Sequence, residues 1–228
     1  MQTIYGDREK CYNCYRPKIS CMCQHVNPID TKTKFIILMH PKEFKKVKNG
    51  TGHLTHLSLK NSKLFIGTDF TNHKEINKTI STCNCYILYP SKDAINISKQ
   101  SLFEDKSTDT NKERVIFLID STWSCSLKML RDSKNLKQLK HISFETIKPS
   151  EFKIKQQPQE YCLSTIESTL SVLEILNEQG IEDIDKKSIE GFLNPFYNMI
   201  EYQVKCIENP LSNAVRYRKR DNFNFRQQ

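Results

Sequence analysis

The sequence predicts an α/β protein whose mostly parallel sheet is flanked by helices, and three observations carry that prediction. Apolar runs of strand length, such as Val115 to Ile119, alternate with segments of helical periodicity. These runs are continuously apolar, as strands covered on both faces are. They also stop at polar or proline breaks, at His40-Pro41, Tyr89-Pro90 and Asp120 to Trp123. Open α/β sheets place ligands at the carboxyl ends of their strands, so the three breaks together mark a candidate site.

The bulk properties bound the answer. A chain of 228 residues can bury one large domain, or one domain with a small appendage, and the second arrangement is the one expected. Hydrophobic residues make up 37% and charged residues 27%, and the apolar runs fall well short of the ~20 residues of a membrane span. Met1 to Lys10 lacks the apolar core of a secretory signal, so a cytoplasmic location is expected, with neither a membrane nor an obligate protein partner indicated. Thirty-five Lys and Arg against 26 Asp and Glu leave a net charge of +9, which favours a polyanionic partner. Charge alone is weak evidence, because Lys42, Lys45, Lys46 and Lys48 also suit a solvated face. The nine cysteines are odd in number, and in a chain of cytosolic character a cluster of them reads first as a metal site.

In chain order, Cys11, Cys14, Cys21 and Cys23 form a C-x2-C-x6-C-x-C cluster within a segment too poor in apolar residues to fold unaided. Four thiolates suffice for one structural Zn2+ and leave no open position for catalysis. Thr33 to Met39 reads as a strand stopped at Pro41. His40 at its end could bind substrate or donate a proton, although a hydrogen-bonded structural histidine is the commoner case. The basic loop Lys42 to Gly52 could hold a phosphate or simply connect, and matches no standard nucleotide fingerprint. Leu54 to Leu59 suggests a short helix whose His53 and His56 are packing or surface residues, and Lys63 to Gly67 a short strand. Ile76 to Ser81 reads as helix and Cys83 to Tyr89 as a third strand, with Cys83 and Cys85 expected to face apart and so to be poor joint ligands.

Ser91 to Glu113 is polar and reads as a flexible insertion or long loop. Then comes Val115 to Ile119, ending in Asp120, Ser121, Thr122 and the only tryptophan, Trp123, before a helix that Ser121 or Thr122 could cap. Taken alone, this junction is a plain helix cap beside a core tryptophan. Lys140 to Glu145 supplies a further strand. A long helix opens at Leu163-Ser164-Thr165, with Ser164 and Glu167 in capping-box relation and Gly180 at its end. A second long helix is expected from about Lys187 to Glu208, kinked by Pro195, and a basic tail follows at Arg216 to Arg220.

Several of these blocks, taken in order, resemble the DTW-domain family of transfer RNA uridine aminocarboxypropyltransferases. Asp120-Ser121-Thr122-Trp123 is similar to its D-x-T-W signature. Cys11, Cys14, Cys21 and Cys23, with Arg16-Pro17 between the pairs, resemble its amino-terminal cysteine pattern. His40-Pro41-Lys42-Glu43, Thr51-Gly52, Tyr89-Pro90 and Leu163-Ser164-Thr165-x-Glu167 follow in the family's order, so the likeness runs from about Cys11 to Glu167.

The resemblance implies a SPOUT-like fold, of the kind that can be knotted, with S-adenosylmethionine bound at strand ends. It also implies a reaction, transfer of the 3-amino-3-carboxypropyl group to N3 of a uridine in tRNA with release of methylthioadenosine. On this reading Asp120 is the base or orients the uracil. Leu88, Tyr89, Pro90, Ser121, Thr122, Trp123, Ser164 and Thr165 bind the cofactor, Trp123 packing on adenine or only on core. His40, Lys42, Lys45, Lys46, Arg216, Arg218, Lys219 and Arg220 are the candidates for substrate and phosphate contact. The expected organisation is a zinc module at 1–30, a catalytic domain at 31–210 and a basic tail at 211–228. The alternatives are a SPOUT-like methyltransferase using the same cofactor and a non-catalytic zinc RNA-binding module.

Overall fold

The computed structural model describes residues 9–46, 49–102, 109, 111–146, 148–154 and 162–209, with the side chains of Lys45 and Lys46 outside that set. Its centre is a sheet of six parallel strands. These are β1 (Lys34–Met39), β2 (Ser62–Ile66), β3 (Asn84–Leu88), β4 (Ile95–Asn96), β5 (Arg114–Asp120) and β6 (Lys140–Ser143), in the spatial order β2-β1-β5-β3-β6-β4. Among the described residues seven α-helices flank them. They are α1 (Pro41–Lys46), α2 (Gly52–Leu57), α3 (Lys74–Thr82), α4 (Trp123–Asp132), α5 (Thr165–Glu178), α6 (Lys186–Gly191) and α7 (Asn194–Glu208).

The strand runs are continuously apolar because alternate residues feed two cores. Phe35 and Ile37 of β1 and Ile116 and Leu118 of β5 face a cluster built with α2, α5 and α7. Ile36 and Leu38, with Val115 and Phe117, face a second cluster closed by Ile76 of α3 and Met129 of α4. β1 and β5 pair in register, Met39 beside Asp120, and His40 N–H donates to the Asp120 carbonyl at 3.0 Å. The Glu182 carboxylate accepts from Lys32 N–H and Thr33 N–H at 2.7 and 2.8 Å, which fixes the entry to β1.

α5 is bounded as its sequence predicts. Glu167 accepts from the Ser164 N–H at 2.8 Å and the Ser164 hydroxyl at 2.6 Å. At the other end Gly180 takes φ +70°, while Ile181 N–H and Gly180 N–H bond back to the Leu176 and Asn177 carbonyls.

Three expectations are corrected. The stretch from 187 to 208 is two helices, with Leu193 as the N-cap of α7 and Pro195 in its first turn, where a missing N–H costs nothing and kinks nothing. The polar segment 91–113 is more than loop, since Ile95–Asn96 adds an edge strand beside β6 and Ile97 and Leu102 are buried. Cys83 and Cys85, two residues apart, share a face and pack against the same core cluster, as the two-residue period of a strand requires.

Candidate functional site

Parallel strands bring their carboxyl ends to one edge, and a cavity of about 700 Å³ opens there. Its floor is the last residues of β3, β5 and β6, and its walls are the turn into α4, the start of α5 and the segment before α2. This volume lies within the ~300–1,000 Å³ usual for small-molecule sites. Asp120 and the eight residues read as cofactor-binding, Leu88, Tyr89, Pro90, Ser121, Thr122, Trp123, Ser164 and Thr165, all line it.

Asp120 ends β5 and is 5% exposed. Its Oδ1 accepts from the Thr165 hydroxyl at 2.7 Å, tying the strand end to the first residue of α5. On another side stands Gly52, where a Cβ would lie 2.5 Å from the Asp120 carboxyl carbon and 2.8 Å from Met39 Cε. Only glycine permits that approach. The Thr51-Gly52 pair therefore has a steric meaning, which is to let a helix start against a buried carboxylate.

The turn into α4 places Thr122 at the N-cap with extended backbone, but its hydroxyl lies beside Ser124 Oγ at 3.4 Å instead of bonding the helix N–H groups. Trp123 is 42% exposed and lies 6.0 Å from Tyr89 between ring centroids, so it belongs to the cavity rim and not to the core. At the opposite wall Glu167, 6% exposed, also accepts from Glu151 N–H at 2.8 Å and from the Ser150 hydroxyl. That set of bonds fixes the start of α5, where Ser164, Thr165 and Ser168 face the cavity.

Some lining residues had no place among the sequence candidates. Glu43 of α1, 8% exposed, brings a second carboxyl group to the cavity wall. Asn49 turns in a buried Oδ1 acceptor that is unmatched among the described residues. Gly50, Phe144, Phe152 and Cys162 also contribute. Glu43 and Thr51 lie within family-like blocks, but the basic character of 42–48 suggests phosphate binding instead.

His40 is not among the lining residues. It is 9% exposed, its Nδ1 accepts from Lys42 N–H at 3.1 Å, and burial, aided by Lys42 and Lys128, lowers its pKa below the usual histidine range. Lys42 is exposed on α1. Arg216, Arg218, Lys219 and Arg220 lie outside the described residues, as do the side chains of Lys45 and Lys46. His53 and His56 are packing residues, His53 in a three-ring cluster with Tyr15 and Phe44 and His56 against Ser62 Oγ at 2.8 Å.

The cysteine cluster comes together as its spacing suggests. The sulfurs of Cys11, Cys14, Cys21 and Cys23 all lie within 4.8 Å of one another, with Cys11 to Cys23 at 3.8 Å and Cys14 to Cys21 at 3.7 Å. Zinc–sulfur bonds of about 2.3 Å in a tetrahedron place sulfurs about 3.8 Å apart, so the four could hold such an ion. Backbone N–H groups of Cys14 and Asn13 draw the Cys11 thiol down to about 6, while burial pushes Cys21 and Cys23 up. Met22, between the last two cysteines, is buried in the same core cluster as Phe196 and Met199 of α7.

Comparison with known proteins points one way. The DTW domain profile matches residues 8–204. The tRNA-uridine aminocarboxypropyltransferase 2 of Drosophila melanogaster is 26% identical over 204 residues, covering 86% of this chain and 76% of its own length. Its namesake in Macaca fascicularis is 27% identical over 203 residues, covering 87% of this chain and 64% of its own. The tRNA-uridine aminocarboxypropyltransferase A of Arabidopsis thaliana is 25% identical over 237 residues, covering 91% and 85%. No solved structure matches the chain significantly.

Proposed function

The chain belongs to the DTW-domain family, and from that premise we propose that it is a transferase that moves the 3-amino-3-carboxypropyl group of S-adenosylmethionine to N3 of a uridine in tRNA. The observation that carries this reading is the single cavity in which Asp120, the hydroxyls at the start of α5 and the Tyr89–Trp123 pair converge. A donor with a carboxylate, an ammonium group and an adenine ring calls for that mixture. The backbone N–H groups at the start of α5, with Ser164 and Thr165, suit the carboxylate. Glu43 suits the ammonium group, and Tyr89 and Trp123 suit the flat face of adenine.

A sulfonium is already a good leaving group, so the chain's own work is alignment and proton removal. As N3 forms its bond to the terminal carbon of the aminocarboxypropyl group, that carbon's bond to sulfur breaks and methylthioadenosine leaves. The imide proton then goes to Asp120, or to solvent if Asp120 orients the uracil. Burial of Asp120 beside Gly52 raises the cost of its charged form, and the Thr165 hydroxyl supports that form.

Around this centre the reading assigns a SPOUT-like fold, with residues 1–30 as a zinc module, 31–210 as the catalytic domain and 211–228 as a basic tail, in the cytoplasm. The four cysteines would hold Zn2+ in a purely structural role, since all four positions are taken by thiolates. For tRNA, Lys42, Lys45, Lys46, Arg216, Arg218, Lys219 and Arg220 would contact phosphates. The solvent face of α4, with exposed Leu127 and Lys128 beside the cavity-lining Trp123, suits an unpaired nucleotide and its phosphates. Uridine N3 is used in base pairing, so the target must be unpaired or flipped out.

Incubation with unmodified tRNA and carboxyl-labelled S-adenosylmethionine tests the proposal, with label expected in the RNA as a modified uridine. Label that stays off a full tRNA pool overturns it. RNA labelled only from methyl-labelled donor would instead identify a methyltransferase.

A further inference from the structure

We propose that the cysteine knuckle is a positioning device for the cavity, in which Tyr15 and Arg16 grip the segment 49–52 and so couple metal loading to donor binding; this rests on the reading of the cavity as the donor site. The two residues follow Cys14 directly; Arg16 reaches Gly50 of the cavity wall, and Tyr15 reaches the helices that flank the segment. Tyr15 is the one non-glycine with positive φ among the described residues, at 57°, a conformation unfavourable for a bulky side chain. Its turn is held by Tyr15 N–H to the Cys11 carbonyl and Cys11 N–H to the Arg16 carbonyl, both at 2.8 Å. Strained backbone of this sort persists where surrounding contacts enforce it, and it clusters at functional sites.

The contacts obtained are specific. The Tyr15 ring lies 5.4 Å from Phe44 in α1 and 5.0 Å from His53 in α2, touching the helices on either side of the segment. Arg16, 7% exposed, donates from Nη2 to the Gly50 carbonyl and to Met199 Sδ in α7, both at 3.0 Å. Asn49, Gly50 and Thr51 line the cavity, and Gly52 is the residue pressed against the Asp120 carboxyl group. From knuckle to carboxylate the path is therefore a hydrogen bond from Arg16 to Gly50, the backbone through Thr51 to Gly52, and the close approach of Gly52 to Asp120. Four thiolates around one divalent ion carry a net charge of about −2, and Arg16, two residues after Cys14, sets its buried guanidinium beside that charge. A loaded centre thus supplies both the closed turn and the counter-charge that keep Arg16 in place.

The test is calorimetry of methylthioadenosine binding to the full-length, zinc-loaded chain. Tyr15→Gly should retain its metal and equal or exceed the unsubstituted thermal midpoint, because glycine accepts φ of this sign, yet bind methylthioadenosine about tenfold more weakly. Tyr15→Phe, which keeps the ring, should bind normally. Arg16→Met should weaken binding by a similar factor, and Arg16→Lys should recover part of it. Stripping zinc from the unsubstituted chain should weaken binding about tenfold and its return should restore it, while methylthioadenosine raises zinc affinity by the same factor. Should Arg16→Met fail to fold, the Tyr15 pair and the stripping arm decide. Unchanged affinity in Tyr15→Gly and in the zinc-free chain overturns the proposal. Absence of binding of both methylthioadenosine and S-adenosylmethionine to the loaded, unsubstituted chain overturns the donor-site reading itself.

Discussion

At the scale of single residues, the site depends on one carboxylate and the glycine that makes room for it. On the proposed reading of Asp120 as base or uracil-orienting group, Asp120→Asn keeps the shape and removes the carboxylate, so transfer should fall by ~10²–10⁴ while methylthioadenosine binding is retained, as kinetics and calorimetry on one preparation would report. Gly52→Ala should act on the same group from behind. Its Cβ would meet the Asp120 carboxyl carbon at 2.5 Å, so Asp120 must swing away from Thr165 and transfer should drop ~100-fold. His53 carries a pH dependence. Burial, then the charges of His56 and Arg16, lower its pKa to about 4. The neutral ring is the one the fold accepts, so the unfolded chain binds more protons between about 6.5 and 4. The stabilisation is full above the unfolded value and lost as pH falls through that window. His53→Phe should flatten the acid side of a plot of thermal midpoint against pH; an unchanged slope would count against the assignment.

Elements act through their ends. α5 begins at the cavity because Glu167 accepts from Ser164, Ser150 and Glu151 and so fixes both the helix start and the strand-to-helix connection before it. Glu167→Ala leaves buried donors unmatched and should cost on the order of 3 kcal/mol, read in denaturant unfolding. α4 ends differently, with the Thr122 hydroxyl beside Ser124 and its exposed face carrying Trp123, Leu127 and Lys128. Pro195 shows how an element boundary misleads a linear reading. A proline within a long helical pattern suggests a kink, yet the same residue in a first turn starts a new helix.

For the whole molecule, the net charge of +9 and the exposed lysines of α1 and α4 predict tRNA binding that weakens with salt. Lys42→Glu and Lys128→Glu should each flatten the log–log salt slope by about one without altering methylthioadenosine affinity; equal slopes would remove these two lysines from the RNA contact. Among the described residues no helix is long and apolar enough to cross a membrane. Much of the architecture was legible in the sequence. Short continuous apolar runs bounded by proline and polar breaks read as strands covered on both faces, and four cysteines within thirteen residues are close enough in sequence to meet locally. Asp120, Tyr89 and Thr165 could be placed at element ends because caps, prolines and polar breaks are local signals. What the linear order did not carry was distance across the chain. That Gly52 abuts Asp120, that Glu43 and Asn49 enter the same cavity, and that Arg16 reaches Gly50 and Met199 follow from the packing of α1, α2 and α7 on the sheet. The sequence by itself determined the class of fold, the cysteine cluster and the strand ends that line the cavity, since each is set by neighbours along the chain. The tertiary structure alone decided which side chains share the cavity and how the knuckle touches its wall, since those contacts join residues remote in sequence.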